Sequence, residues 1–171
     1  MKTFLICASI LFGVLFLIVF GVRVYKDVIF DRECEGHLKR AADANSVELA
    51  TQELETALNY LKANKVTEGY TSVMYTTPDE DVGFWYKNLT TSLDELKSLP
   101  ANTTPLERTN VLMKLRETLL DKGERSESVT GPSGIGVFPL NALYAFLTLT
   151  PLSLAALSLI GLVFVYIRED C

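Results

Sequence analysis

From Phe4 to Val22 the chain runs nineteen residues without a charge, and from Val137 to Ile167 it runs thirty-one more. Two such stretches in 171 residues constrain the fold more than any other feature of the sequence. A helix over the first run spans roughly 28 Å, close to the hydrocarbon thickness of a bilayer. The rival reading is a cleaved signal peptide. However, the apolar run is longer than the 7–15 residues or so expected of one, and no A-x-A-like site follows. Arg23 and Lys26 come next instead, so we expect an uncleaved anchor over residues 1–23.

The second run contains Pro139, Asn141 and Pro151, and Arg168 closes it. A straight span starts near Ala142. Proline removes a backbone donor, so a kink is expected at Pro151. Thr148, Thr150 and Ser153 stand nearby to serve the freed backbone groups, as membrane helices tolerate proline. Tyr144 and Tyr166 fall near the two expected interfaces, like an aromatic belt. Small residues (Ser9 and Gly13 in the first run; Ala155, Ala156, Ser158 and Gly161 in the second) permit close helix approach. The general abundance of Gly, Ala and Ser in membrane helices explains them equally well.

The chain between the runs has a different composition. From Val24 to Ile135, 13 Lys and Arg stand against 19 Asp and Glu, a net of −6. That sign is wrong for nucleic acid, whose phosphates need basic partners, and wrong for docking onto anionic lipid. The pattern there is helical. Residues 24–44 are expected to continue from the anchor. In 45–64, Asn45 and Glu48 form a capping-box pattern before a stripe of Val47, Ala50, Leu54, Ala57, Leu58 and Leu61. Two T-P-x-E signals, Thr77-Pro78-Asp79-Glu80 and Thr104-Pro105-Leu106-Glu107, mark helix starts for 78–98 and 105–122. Trp85, Leu89, Leu93 and Leu96 give the buried stripe of the former. Val111, Leu112, Leu115 and Leu119 give that of the latter, with Gly123 ending it. The segment from Gly69 to Tyr75 is aromatic and β-prone without an evident partner strand, and is read as an ordered loop. Residues 123–136, rich in Gly, Ser and Glu, are read as a flexible linker. The expected fold is an all-α membrane protein, with two transmembrane helices flanking a four-helix-bundle-like soluble domain. Residues 168–171 form a short polar tail.

No catalytic signature is present, neither G-x-S-x-G nor H-E-x-x-H nor a Walker or dinucleotide fingerprint. The metal signal is weak. Cys34 and His37 make a single C-x-x-H, whereas zinc takes three or four protein ligands. Asp79, Glu80 and Asp81 lack the alternating ligands and central glycine of a calcium loop and suit the first turn of a helix instead. Cys7, Cys34 and Cys171 form no disulfide framework, although a Cys34–Cys34 bridge between two chains is conceivable. We expect no cofactor, no metal and no enzymatic activity. Asn88-Leu89-Thr90 and Asn102-Thr103-Thr104 match glycosylation sequons, which matter only in a eukaryotic lumen.

Phe84, Trp85 and Tyr86 are the least ordinary cluster. Successive helical residues lie about 100° apart, so one helix cannot bury all three against the same core. Trp85 fits the core stripe. Phe84 or Tyr86 is then left exposed, or packs on the loop carrying Tyr70 and Tyr75. These five aromatic residues are the candidate partner surface.

Flanking charge gives conflicting signals for topology. Arg23, Lys26 and Arg32 follow the first run, but Arg168 abuts the second. The expectation is a bacterial plasma-membrane protein with both termini inside and the domain outside. Its expected partners are the lipid bilayer and either other membrane proteins or a second copy. The expected role is a non-catalytic interaction or assembly module, such as an accessory subunit of a membrane complex. The alternative is an extracytoplasmic sensor or ligand-binding domain that signals through a separate partner.

Overall fold

The computed structural model describes residues 2–74, 76–122 and 127–169. The chain is mostly helical. Its elements run α1 (Lys2–Phe30), α2 (Gly36–Ala42), α3 (Val47–Ala63), α4 (Val82–Lys97), α5 (Pro105–Leu119), a two-stranded hairpin of β1 (Leu120–Lys122) and β2 (Glu127–Val129), and α6 (Asn141–Glu169). Two compact units emerge: residues 1–26 with 140–171, and residues 27–139.

The first unit is built on α6 and the leading part of α1. Among the described residues, these two helices are long and apolar enough to cross a membrane. Most of their leucines, isoleucines and phenylalanines face outward, from Leu11 at 65% exposed to Phe164 at 69%. The contacts between them run antiparallel. Lys2 Nζ lies 4.3 Å from the centre of the Tyr166 ring. Gly161 faces Leu5, which stands 3.6 Å from where a Cβ would be. Ser9 Oγ and Ser158 Oγ are 2.7 Å apart, and Lys26 Nζ lies 5.6 Å from the Tyr144 ring centre. Each serine hydroxyl also sits within hydrogen-bond distance of its own helix, at Leu5 O and Ala155 O. Two hydroxyl protons thus serve three contacts. Of the small residues singled out in the sequence, Ser9, Ser158 and Gly161 meet the other helix, while a Cβ at Gly13 would touch nothing.

Helix α6 continues through Pro151. Proline frees the carbonyl four residues back, which is Leu147's. Thr148 Oγ1 donates instead to Tyr144 O at 2.6 Å, and Ser153 Oγ to Thr150 O at 2.9 Å.

The second unit hides its apolar groups. Leu38 on α2, Leu54 and Leu61 on α3, Leu89 on α4 and Leu119 on α5 are fully buried. Helix α3 packs against α2 and α4, and α5 packs against α2. Its stripe is the expected one, with Ala50, Leu54, Ala57, Leu58 and Leu61 buried and Val47 partly so. The cap differs by one residue: Ser46, not Asn45, accepts from Leu49 N at 3.2 Å. Ser46 has the extended backbone that a cap requires (φ −139°, ψ 151°).

The remaining elements meet the expectations in part. The expected helix 24–44 does continue from the leading helix, running to Ala42 with one irregularity. The stretch Asp31–Glu35 makes a wide π-type turn between α1 and α2, in which Gly36 N–H reaches back five residues to Asp31 O. That wider turn keeps Phe30, Cys34 and Leu38, four residues apart, all in the core. The expected helix 78–98 begins four residues late. Pro78–Glu80 forms a single 3₁₀ turn, and the cap of α4 is Asp81, whose Oδ1 accepts from Phe84 N at 2.9 Å. The helical path breaks at Asp81 because its backbone is extended and bridges Tyr70. Val82 N–H donates to Gly69 O at 2.9 Å and Thr71 N–H to Glu80 O at 3.0 Å. This short pairing is the partner that the β-prone loop lacked in the sequence.

The expected helix 105–122 ends at Leu119, after which the chain turns extended. The stretch 123–136 was expected to be a flexible linker. Gly123 and its next three residues lie outside the described residues. Beyond them, however, much of the chain is packed: Val129 pairs with Leu120, and Ile135 and Val137 are buried. The second T-P-x-E signal is met as expected. Glu107 N–H donates to Thr104 Oγ1 at 3.3 Å, and Thr104 N–H to Glu107 Oε2 at 2.9 Å.

Candidate interaction surface

The first turn of α4 carries Phe84, Trp85 and Tyr86 in succession, so each points to a different side. Trp85 enters the core at 8% exposed, and its indole Nε1–H donates to Thr130 O at 2.5 Å. A buried indole N–H needs such a partner. Gly131 lies flat against the ring, with indole atoms 3.7 Å from where a Cβ would sit, so the chain after β2 runs close along it. Tyr86 is partly buried against the same core. Phe84 is left outside, 58% exposed.

Between the start of α4 and the hairpin runs a groove of about 380 Å³. Phe84 and Trp85 line it together with Asp79, Asp81, Asn88, Asp121 and the stretch from Ser128 to Pro132. Three carboxylates and an exposed aromatic ring make a wall suited to cationic and apolar groups, since an aromatic face attracts a cation as a carboxylate does. The volume lies within the range of ligand pockets, roughly 300–1,000 Å³.

Of the five aromatic residues expected at a partner surface, Phe84 and Trp85 therefore share the groove. Tyr70 stands at the bridge to Asp81, partly exposed. Tyr75 lies outside the described residues. Asp121 and the wall from Ser128 to Pro132 could not be read from the sequence. The available signal was weak, a β-prone Ser-Val-Thr shortly after Gly123.

Cys34 and His37 do not come together as ligands. Cys34 is wholly buried in the core, and desolvation, with help from the charge of Glu35, pushes its thiol up to about 12. Such a thiol is inert, and its burial removes the surface that a Cys34–Cys34 bridge would need. His37 Nδ1 donates instead to Glu53 Oε2 at 2.7 Å, to which Arg40 Nε also donates at 3.0 Å. Arg40 Nη2 lies 2.8 Å from the same Nδ1, a contact that a protonated Nδ1 cannot accept. Burial alone would raise the Glu53 carboxyl, but the hydrogen bonds from His37 and Arg40 outweigh it and hold the group below its ordinary range. Glu35 moves the other way. It is half-buried beside Asp31 and Asp27, and desolvation followed by those two charges raises its carboxyl. Among the described residues no three His, Cys, Asp or Glu side chains are grouped to hold a metal ion.

No protein-family model, curated protein or solved structure matches this chain. A functional reading must therefore rest on the groove and on the two apolar helices.

Proposed function

We propose that this chain is an integral membrane protein, held by α1 and α6, whose 27–139 unit is a non-catalytic docking module for another protein. With both helices spanning, the two termini share one side of the bilayer and the unit occupies the other, which we assign to the extracytoplasmic side. The membrane reading is supported by the lysine–tyrosine pairs. Along the helices, Lys2–Tyr166 and Lys26–Tyr144 are separated by about 33–36 Å at 1.5 Å per residue. That is the spacing of two interfacial belts around a hydrocarbon core of about 30 Å.

The docking reading rests on one observation: Phe84 stands exposed on the rim of an acidic groove whose floor is Trp85. The fitting partner is a segment that presents Lys or Arg beside an apolar side chain. An aromatic anchor flanked by polar residues is the usual energetic centre of an interface. The sensor reading remains the second choice, because the same groove is large enough for a small cationic ligand.

A photo-crosslinking residue placed at Phe84, in membranes of the native host, separates these outcomes. The expected result is a discrete protein adduct that is absent when the crosslinker sits at Leu106, which is at least as open on α5. Identical patterns at the two positions would remove the docking proposal.

A further inference from the structure

From Gly69 to Pro78 the chain carries no charge, the longest such stretch between the two apolar runs. Its base is pinned. Gly69 O and Thr71 N–H bond to Val82 and Glu80, and Thr71 is buried. Gly69 has a left-handed backbone (φ 103°), and a Cβ there would lie 3.1 Å from Phe138 Cζ, so only glycine allows this approach. Beyond the base the tip turns outward, with Val73 at 58% and Met74 at 82% exposed and Tyr70 beside them partly open. An uncharged tip bearing valine, methionine and tyrosine is costly to leave in water.

Phe138 indicates what covers it. This residue packs against the loop base and stands three residues before the first residue of α6. Chain length alone keeps Asn141 within about 10 Å of Phe138. If α6 spans a bilayer, the loop base therefore lies next to the place where the chain enters it.

We propose that the 70–74 tip dips into the interfacial region of the bilayer beside the entry of α6, with Val73 and Met74 among the acyl chains and Tyr70 at headgroup level. This rests on the membrane reading above. The segment carries no basic residue, so the attraction is apolar and independent of lipid charge. That distinguishes it from electrostatic docking onto anionic lipid, which the acidic unit disfavours. A protein partner and a second copy of the chain are the competing occupants.

The test uses the full-length chain in nanodiscs of zwitterionic lipid, with Cys7 and Cys171 replaced by serine. An environment-sensitive fluorophore is attached in turn at M74C, V73C, L106C and L157C. The parent without an added cysteine reports any labelling of the buried Cys34. Nitroxide-bearing lipids serve as quenchers. The expected result is blue-shifted emission at M74C and V73C, with about twofold or more the quenching seen at L106C. L157C, on the outward face of α6, should be quenched most strongly. Quenching at L157C without quenching at M74C and V73C would overturn the proposal and leave the membrane reading intact. A blue shift at M74C without lipid quenching would assign the tip to a protein or a second copy and overturn it equally. No quenching at L157C would remove the membrane reading, and this proposal with it.

Discussion

The two units of this protein are built with opposite insides and outsides. In the α1–α6 unit most leucines, isoleucines and phenylalanines point outward, and two of the groups that meet between the helices are serine hydroxyls. In the 27–139 unit Leu38, Leu54, Leu61, Leu89 and Leu119 are sealed away, and the exposed polar groups are tied into ion pairs such as Lys114–Glu95. The second arrangement is that of a domain in water, and the first is the one that the proposed membrane spans require. Between helices surrounded by apolar surroundings, leucine against leucine gains little, so close packing and polar contacts hold helices together. In water, removal of apolar surface is the main driving force. Leucine content alone does not separate the two cases, because both units are rich in leucine. The direction in which the leucines point does.

The strongest way to break this contrast is to remove the same side chain from each unit. Leu54→Ala should destabilise the 27–139 unit by about 2–5 kcal/mol, because the site is fully enclosed and leaves a cavity. Chemical denaturation followed through Trp85, the only tryptophan, measures it. Leu157→Ala on the outward face of α6 should change the same transition by less than about 0.5 kcal/mol. Equal losses would mean that α6 buries its leucines as a soluble helix does.

A smaller effect tests the two capping signals against each other. Thr104→Ala should cost about 1 kcal/mol, since Thr104 closes a full capping box on α5. Thr77→Ala should cost only a few tenths of that, because Asp81 caps α4 in its place. Comparable losses at the two threonines would contradict the observed start of α4.

The smallest effects are electrostatic and have opposite signs. Glu53 is depressed, so the stability it contributes is present above its unfolded pKa near 4.5 and is lost as the pH falls through the lower folded value. Glu53→Gln should therefore flatten the acid limb of the stability curve. Glu35 is raised from the same 4.5, so its contribution is present below that value and is lost as the pH rises through the folded one. Glu35→Gln should gain stability over wild type as the pH is taken from about 4 to about 7. Urea midpoints across that range measure both, and parallel curves for wild type and the two variants would refute both assignments.

The parts of this fold that were legible in the sequence are those carried by long periodic patterns. The stripe of α3 and that of α4 were read residue by residue, and so were the two apolar runs. The Thr104 box was read correctly because both of its partners lie within four residues. The Thr77 signal misled because a better acceptor, Asp81, stands four residues on, and the Tyr70 bridge straightens the backbone there. Three-residue strands are too short to display alternation, so the hairpin escaped, and with it half of the groove. Trp85 was assigned to the core from its spacing. Its partner, the carbonyl of Thr130, lies forty-five residues away, and no local pattern points to it.

The wide turn at Asp31–Glu35 also governs how this chain can be cut and joined. An ordinary helix advances by about 100° per residue, so gaining or losing one residue rotates everything that follows. Here the extra residue is already absorbed, and the faces bearing Phe30, Cys34 and Leu38 are brought into line because of it. A chimera that swaps the leading helix for another must carry these five residues with it. Spliced as plain α-helix, the graft would lose this angular phase: Leu38 would turn about 80° from Phe30, with Cys34 about 40° from each.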